Sequence, residues 1–115
     1  MSAFHRIPRF LHGAALAAAC MMAAVPVLAA PNAVTIEITK FAFAPKDVTV
    51  EPGTRVIWIN RDETPHTVAS DDKSFVSKGL DTDDKFEHTF AGAGDFGYVC
   101  TVHPFMTGVV HVRKR

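Results

Sequence analysis

Residues 55–60 read Arg-Val-Ile-Trp-Ile-Asn, a run of β-branched and aromatic residues that follows the turn-forming triplet Glu-Pro-Gly at 51–53. Such residues favour extended strands, and a run that is apolar on both faces predicts a strand buried on both sides. The Pro-Gly pair ends any regular element before it. This stretch therefore predicts a central strand of a β-sheet.

Segments on both sides of this strand alternate apolar and polar residues, which is the pattern of half-buried strands. They comprise residues 34–38, 47–50, 67–69, 85–90, 96–99 and 108–112. No long segment has the 3.6-residue period of an amphipathic helix, although one helical turn is expected near residues 74–78 in a polar surface excursion. We predict an all-β fold, an antiparallel β-sandwich or barrel in a single domain.

The N-terminal thirty residues differ in composition from the rest. Residues 1–12 contain two arginines and no acidic residue. An almost wholly apolar run follows and ends in small residues. This order is typical of a secretory signal peptide, which we place at residues 1–29, with the domain at 30–115. The alternatives are a retained membrane anchor, for which the apolar run is short, and lipid attachment at Cys20.

Removal of this leader changes the charge and the cysteine count. The 115 residues have a formal charge of zero, which gives no reason to expect nucleic acid as a partner. Without residues 1–29, the remaining 86 residues have ten Lys and Arg against twelve Asp and Glu, a net charge of −2, and Cys100 as their one cysteine. So short a chain excludes a multidomain enzyme. A lone exported thiol cannot form an intramolecular disulfide, so we expect something to protect it.

The residues that indicate chemistry lie near the C-terminus. Residues 100–106 read Cys-Thr-Val-His-Pro-Phe-Met, so Cys100, His103 and Met106 follow one another at three-residue spacing between two predicted strands. A tight loop can direct all three side chains to one point. His66 follows a turn-forming stretch, residues 61–65, at the end of another strand, and a sandwich brings such loops together at one end. Two imidazoles, a thiolate and a weak sulfur donor are the donor set of a blue-copper electron-transfer site.

Three other interpretations of these residues are weaker. Structural zinc takes four strong donors, and methionine is a poor fourth ligand. Cys100 could be an ordinary buried core thiol. A cysteine-nucleophile enzyme would need a further acid or amide to orient its histidine, so we expect no enzyme. The remaining histidines are weaker candidates, because His88 alternates with phenylalanines in a strand and His111 has no partner at a suitable spacing.

Three stretches together resemble the plastocyanin/azurin-like cupredoxins. They are Val-Ile-Trp-Ile-Asn-Arg at 56–61, Pro-His at 65–66 and Tyr-Val-Cys-Thr-Val-His-Pro-Phe-Met at 98–106, and the last is most similar to the short ligand loop of the amicyanins. The resemblance implies a Greek-key sandwich, a periplasmic location and one copper ion that cycles between Cu(I) and Cu(II). It also implies one-electron transfer between larger redox proteins. By the resemblance, the equatorial copper ligands are His66, Cys100 and His103, and the axial ligand is Met106.

The resemblance also bears on partners. We expect His103 to lie nearest the surface among Pro65, Pro104 and Phe105, where an apolar patch suits transient docking of a redox donor and acceptor. We expect a monomer that has no nucleic-acid partner and, once the leader is removed, no membrane partner. The rival function is a periplasmic copper-binding or delivery protein without a shuttle role.

Two positions depart from the family pattern. Thr67 stands where the family has Asn to tie the two ligand loops together, and we expect its hydroxyl to act in part through Thr101. Val102 stands where amicyanins have Pro, which restores a backbone N–H that can point at the Cys100 sulfur. We hypothesise that this N–H raises the reduction potential by withdrawing charge from the thiolate.

Overall fold

The computed structural model describes residues 32–115, together with the isolated Ala3 and Gly13. The signal peptide expected at residues 1–29, with its cleavage site and the lipidation alternative at Cys20, lies outside the described residues and stays a prediction. In the part of the chain that is described, no helix is long and apolar enough to cross a membrane.

The described chain forms eight strands in two sheets. The strands are β1 (Ala33–Thr39), β2 (Ala42–Ala44), β3 (Asp47–Val50), β4 (Thr54–Asn60), β5 (Ala69–Ser70), β6 (Lys85–Phe90), β7 (Gly94–Val99) and β8 (Thr107–Val112). One sheet has the order β2-β1-β4-β6 and the other β3-β8-β7-β5. The chain passes repeatedly from one sheet to the other, as Greek-key connections require. The predicted all-β sandwich is confirmed.

Each sheet contains one parallel pair of neighbouring strands. β1 pairs with β4 in parallel, and β3 pairs with β8 in parallel, whereas the other four pairings are antiparallel. Both sheets are therefore mixed, whereas the sequence led us to expect antiparallel pairing only. Alternation of apolar and polar residues shows which face of a strand is buried but not which strands become neighbours.

The prediction of a helical turn near residues 74–78 is wrong. This segment folds back on the chain before it, because the backbone N–H of Ser77 donates to the carbonyl of Val68 and that of Ser70 donates to the carbonyl of Phe75. The Phe75 side chain enters the core and stacks on Trp58 with the ring centroids 5.7 Å apart. Burial of an aromatic ring outweighs the weak local preference of a short polar segment for a helical turn.

The core lies between the sheets and is centred on Trp58 of β4. This side chain is fully buried and packs against the rings of Phe75, Phe86, Phe90 and Tyr98. Burying large aromatic side chains supplies much of the stability of so small a domain. The packing fixes the ends of β4 and β7, from which the two loops that carry His66 and Cys100 begin.

Candidate metal centre

His66 is held in place by the loop that follows β4. The loop is pinned by the buried Asn60, whose side-chain amide donates to the carbonyls of Thr64 and Leu80, each at 2.9 Å. The amide oxygen of Asn60 accepts a hydrogen bond from the backbone N–H of Asp62 at 2.9 Å. His66 and Leu80 then exchange two backbone hydrogen bonds of 3.1 and 2.7 Å. His66 is consequently fully buried on an anchored backbone.

The loop between β7 and β8 brings the other donors to the same place. The backbone N–H of Cys100 donates to the carbonyl of Met106 at 3.0 Å, and that of Met106 donates to the carbonyl of His103 at 2.9 Å. These bonds close a tight loop that has Cys100 at one end and Met106 at the other, both buried. His103 lies between them and is partly exposed.

Three side-chain donors form a compact triangle. The Nδ1 atoms of His66 and His103 lie 3.2 Å apart, and the Cys100 Sγ lies 3.8 Å from each of them. A single point in this plane lies about 2.0 Å from both nitrogens and about 2.2 Å from the sulfur, which are ordinary metal–imidazole and metal–thiolate bond lengths. The triangle therefore fits one metal ion without rearrangement.

Asp62 fixes the orientation of the His66 ring. Its Oδ2 lies 2.8 Å from His66 Nε2, on the side of the ring away from the donor triangle. The same carboxylate accepts the backbone N–H groups of Lys40 at 2.7 Å and Phe41 at 3.0 Å. Partial burial opposes ionisation of Asp62, but the hydrogen bonds from Phe41, His66 and Lys40 outweigh it and lower the pKa of this carboxyl. A carboxylate that accepts a hydrogen bond from Nε2 keeps the ring proton on that nitrogen. The lone pair of Nδ1 is then free to bind a metal.

Thr67 joins the two loops of the centre. Its hydroxyl oxygen accepts the backbone N–H of Thr101 at 2.8 Å and lies 2.7 Å from the Thr101 hydroxyl. The backbone N–H of Thr67 donates to the Cys100 Sγ at 3.4 Å. The expected link through Thr101 is therefore present. The hydrogen bond expected from Val102 to the sulfur is not formed among the described residues, and the backbone N–H that reaches the sulfur is that of Thr67.

Phe41 adds an aromatic ring at the surface of the centre. Its ring makes edge contacts with His66 and His103, with centroid separations of 5.3 and 5.2 Å. Phe105 makes a further edge contact with His103 and is 73% exposed. The sequence indicated Phe105 but not Phe41, because Phe41 reaches the centre from the short β1–β2 turn.

The structure thus brings His66, Cys100 and His103 together and places Met106 in the same loop. Within residues 32–115, His66, Cys100 and His103 form the cluster of His, Cys, Asp and Glu side chains suited to a metal ion. His88 is half-buried against Phe75 and lies outside the cluster, as expected. His111 lies on β8, where its Nδ1 is 2.8 Å from Asp95 Oδ1. Sequence patterns missed Asp62, since a carboxylate four residues before a histidine in a loop has no distinctive period.

The fold and the donor set define a small copper-binding sandwich protein. Residues 30–113 match the family described as copper binding proteins of the plastocyanin/azurin family, and the chain belongs to this family. It is 36% identical over 95 residues to amicyanin of Paracoccus versutus, an alignment that covers 76% of this chain and 72% of that one. Copper is accordingly the metal of this centre, and the family agrees with the expectation that the chain is not an enzyme.

Solved structures give the same result. A purple cupredoxin from Nitrosopumilus maritimus is 32% identical and superposes with a TM-score of 0.66, covering 70% of this chain and 99% of that one. A copper-containing nitrite reductase from Thermus scotoductus SA-01 is 26% identical with a TM-score of 0.69 and matches 75% of this chain. This chain spans only 23% of that enzyme, so the likeness does not carry the enzyme's activity to it.

Proposed function

We propose that the protein is a periplasmic type 1 (blue) copper protein that carries single electrons between larger redox proteins. In this proposal His66, Cys100 and His103 are the equatorial ligands and Met106 is the axial ligand. The observation that supports it most directly is the triangle of two Nδ1 atoms and one Sγ, which fits a single ion. Thiolate and thioether suit Cu(I), and imidazoles suit Cu(II), so one donor set serves both oxidation states.

Bound copper supplies the one-electron couple, and the protein's own residues keep the ligands in place. Asp62 and the backbone pairing with Leu80 hold His66, and the Thr67 hydroxyl ties its loop to Thr101. The loop hydrogen bonds between Cys100 and Met106 restrict the other side. Ligands held this firmly move little when the charge of the metal changes, which favours fast electron transfer.

The exposed apolar residues around His103 support electron exit at this end of the sandwich. Phe105, Val102 and Phe41 are respectively 73%, 56% and 43% exposed, and the His103 ring contacts both phenylalanines. An apolar surface of this kind suits a brief encounter with a redox protein, whereas His66 is sealed from solvent. We place the docking surface for donor and acceptor at His103, Pro104 and Phe105, with Phe41 added from the structure.

The proposed location rests on the sequence. The basic and apolar leader at residues 1–29 supports export, and the similarity to amicyanin of Paracoccus versutus supports the electron-carrier role. We propose that the exported domain, residues 30–115, acts as a monomer without nucleic-acid or membrane partners.

The copper proposal is tested by adding Cu(II) to the purified protein and recording its visible spectrum. We expect an intense thiolate-to-copper absorption that disappears with one electron equivalent of reductant and returns on oxidation. Cys100→Ser should abolish the absorption, and His111→Ala, a histidine outside the cluster, should leave it unchanged. Copper binding without the absorption, or binding that survives Cys100→Ser unaltered, would contradict the proposal.

The carrier role is tested by the electron self-exchange rate between oxidised and reduced copies. Phe105→Asp should slow the exchange, because it places a charge at the centre of the apolar surface on both copies. Val76→Asp is the matched control, since Val76 is also exposed but lies in the segment between β5 and β6. Equal slowing by the two variants would argue against docking at His103. Transfer of copper to a chelator faster than self-exchange would favour copper delivery over electron transfer.

A further inference from the structure

The Thr67 side chain has more contacts than its role as a link between loops requires. Its hydroxyl oxygen accepts the Thr101 N–H at 2.8 Å, lies 2.7 Å from the Thr101 hydroxyl, and lies 3.9 Å from the Cys100 Sγ. The backbone N–H of the same residue donates to that sulfur at 3.4 Å. Two groups of one residue therefore face the thiolate.

The number of protons and lone pairs limits how this network is arranged. A hydroxyl has one proton to donate and two lone pairs to accept with. The Thr101 N–H occupies one lone pair of Thr67 Oγ1. If the Thr101 hydroxyl donates to the second lone pair, the Thr67 proton is left for the sulfur. If Thr67 donates to Thr101 instead, the sulfur loses this donor.

The surroundings of the sulfur favour the first arrangement. Cys100 is fully buried, so water does not solvate the charge on its thiolate. A buried anion makes the stronger, charge-assisted hydrogen bond and attracts the nearest available proton. In contrast, Thr101 is exposed, and water can donate to the lone pairs of its hydroxyl. The Thr67 proton therefore gains more at the sulfur than at Thr101.

We propose that Thr67 is a positioning residue that tunes the redox centre through a donor chain from the Thr101 hydroxyl to the Thr67 hydroxyl to the Cys100 sulfur. This inference rests on the proposed type 1 copper site. A second donor at the sulfur stabilises the reduced state more than the oxidised one, because the sulfur has more negative charge when copper is reduced. The chain thus raises the reduction potential, while the bonds between Thr67 and Thr101 hold the two loops together.

The test measures the midpoint potential of copper-loaded variants. Thr67→Val keeps the shape and the backbone N–H but removes the hydroxyl. It should lower the Cu(I)-over-Cu(II) preference about tenfold, which corresponds to about 59 mV for a one-electron couple. The thiolate-to-copper absorption should move to longer wavelength, because the sulfur donates electron density more readily. Thr67→Ser keeps the hydroxyl and should therefore keep the potential and the absorption of the unsubstituted protein. Thr89→Val, at an exposed threonine on β6, should change neither.

Thr101→Val determines the direction of the chain. In the proposed arrangement this variant leaves the Thr67 proton on the sulfur, so the potential should stay the same or fall slightly. If Thr67 donates to Thr101, the variant would free that proton for the sulfur, and a rise in potential would overturn the proposal.

The melting temperature of the metal-free variants separates tuning from simple structural support. Thr67→Val should lower it, because the link to Thr101 is lost. A lower melting temperature with an unchanged potential and absorption would show a structural role only and would also overturn the proposal. Failure of the type 1 copper assignment itself is distinguishable, since the unsubstituted protein would then have no intense absorption.

Discussion

Replacing Asp62 with asparagine tests how strongly the surroundings of His66 determine copper affinity. Oδ2 of Asp62 serves both His66 Nε2 and the Phe41 N–H, and Oδ1 serves the Lys40 N–H. An amide has only one acceptor oxygen, so either the His66 and Phe41 donors or the Lys40 donor must face an NH₂ group. The amide of the Asp62→Asn variant therefore cannot satisfy all three donors, and the charge that strengthens the hydrogen bond to His66 is lost.

The size of the effect follows from the hydrogen bond that is weakened. Bonds to charged groups are worth about 1.5–3 kcal/mol and neutral ones about 0.5–1.5 kcal/mol, so the exchange costs about 1–2 kcal/mol at His66. Loss of a carboxylate behind a metal-binding histidine typically lowers metal affinity about 10–100-fold, which is about 1.4–2.7 kcal/mol. The two estimates agree, and we expect a loss of copper affinity of at least about tenfold.

The assay is competition for copper with a chelator of known affinity, in both oxidation states. The matched control is Glu63→Gln, which removes an exposed carboxylate next to Asp62 in sequence. If Asp62→Asn binds copper within about threefold of the control, well short of the expected loss, Asp62 does not position His66 for the metal. Urea unfolding of the metal-free proteins provides a second check, because an equal loss of stability without copper would assign the effect to the Lys40–Phe41 turn.

Three further predictions concern the fold. Gly108→Ala should lower the free energy of unfolding by about 1–3 kcal/mol, because a Cβ there would collide with the Tyr98 ring; an unchanged urea midpoint would contradict this packing. Burial raises the pKa of Tyr98 to about 12, and it is the one tyrosine of the sequence. Tyrosinate absorbance should therefore stay absent from the folded protein at about pH 10–11. The free energy of unfolding should fall as pH rises above about 10, because the unfolded chain releases the proton first. Tyrosinate at about pH 10 in folded protein would show that the ring is solvated. Hydrogen bonds from His111 and Arg113 lower the pKa of Asp95, so its stabilising effect is present above pH 3.8 and is lost as pH falls through the lowered value. Asp95→Asn should flatten the acid side of the stability profile of the metal-free protein, measured by urea unfolding, and parallel profiles for the two proteins would refute this.

The sequence predicted the strands whose burial follows a simple period. Residues 85–90 form β6 with the expected bounds, and 55–60 lie within β4, which begins one residue earlier. β2 was not expected, because its three residues are too few for a periodic signal. It follows Lys40 and Phe41, which both have positive φ angles of 52° and 54°, a conformation that no local pattern indicates for these residue types.

The sequence predicted the metal donors of the candidate site but not the residues that hold those donors in place. Cys100, His103 and Met106 are close in sequence, so their spacing shows that one loop can gather them. Asp62 and Phe41 come from different turns and meet only because the sandwich brings those turns to the same end. Contacts of this kind depend on tertiary structure and have no signal in a single sequence.

The short loop between β7 and β8 also affects how copper is coupled to folding. Three of the four candidate donors lie within residues 100–106, so an unfolded chain already presents them close together. A metal that binds the unfolded state stabilises the native state by less than its full affinity. The stabilisation that copper gives to the fold is then the extra affinity gained when folding adds His66 and fixes the loop. Measured melting temperatures should consequently rise less with copper than the affinity of the native centre alone would imply.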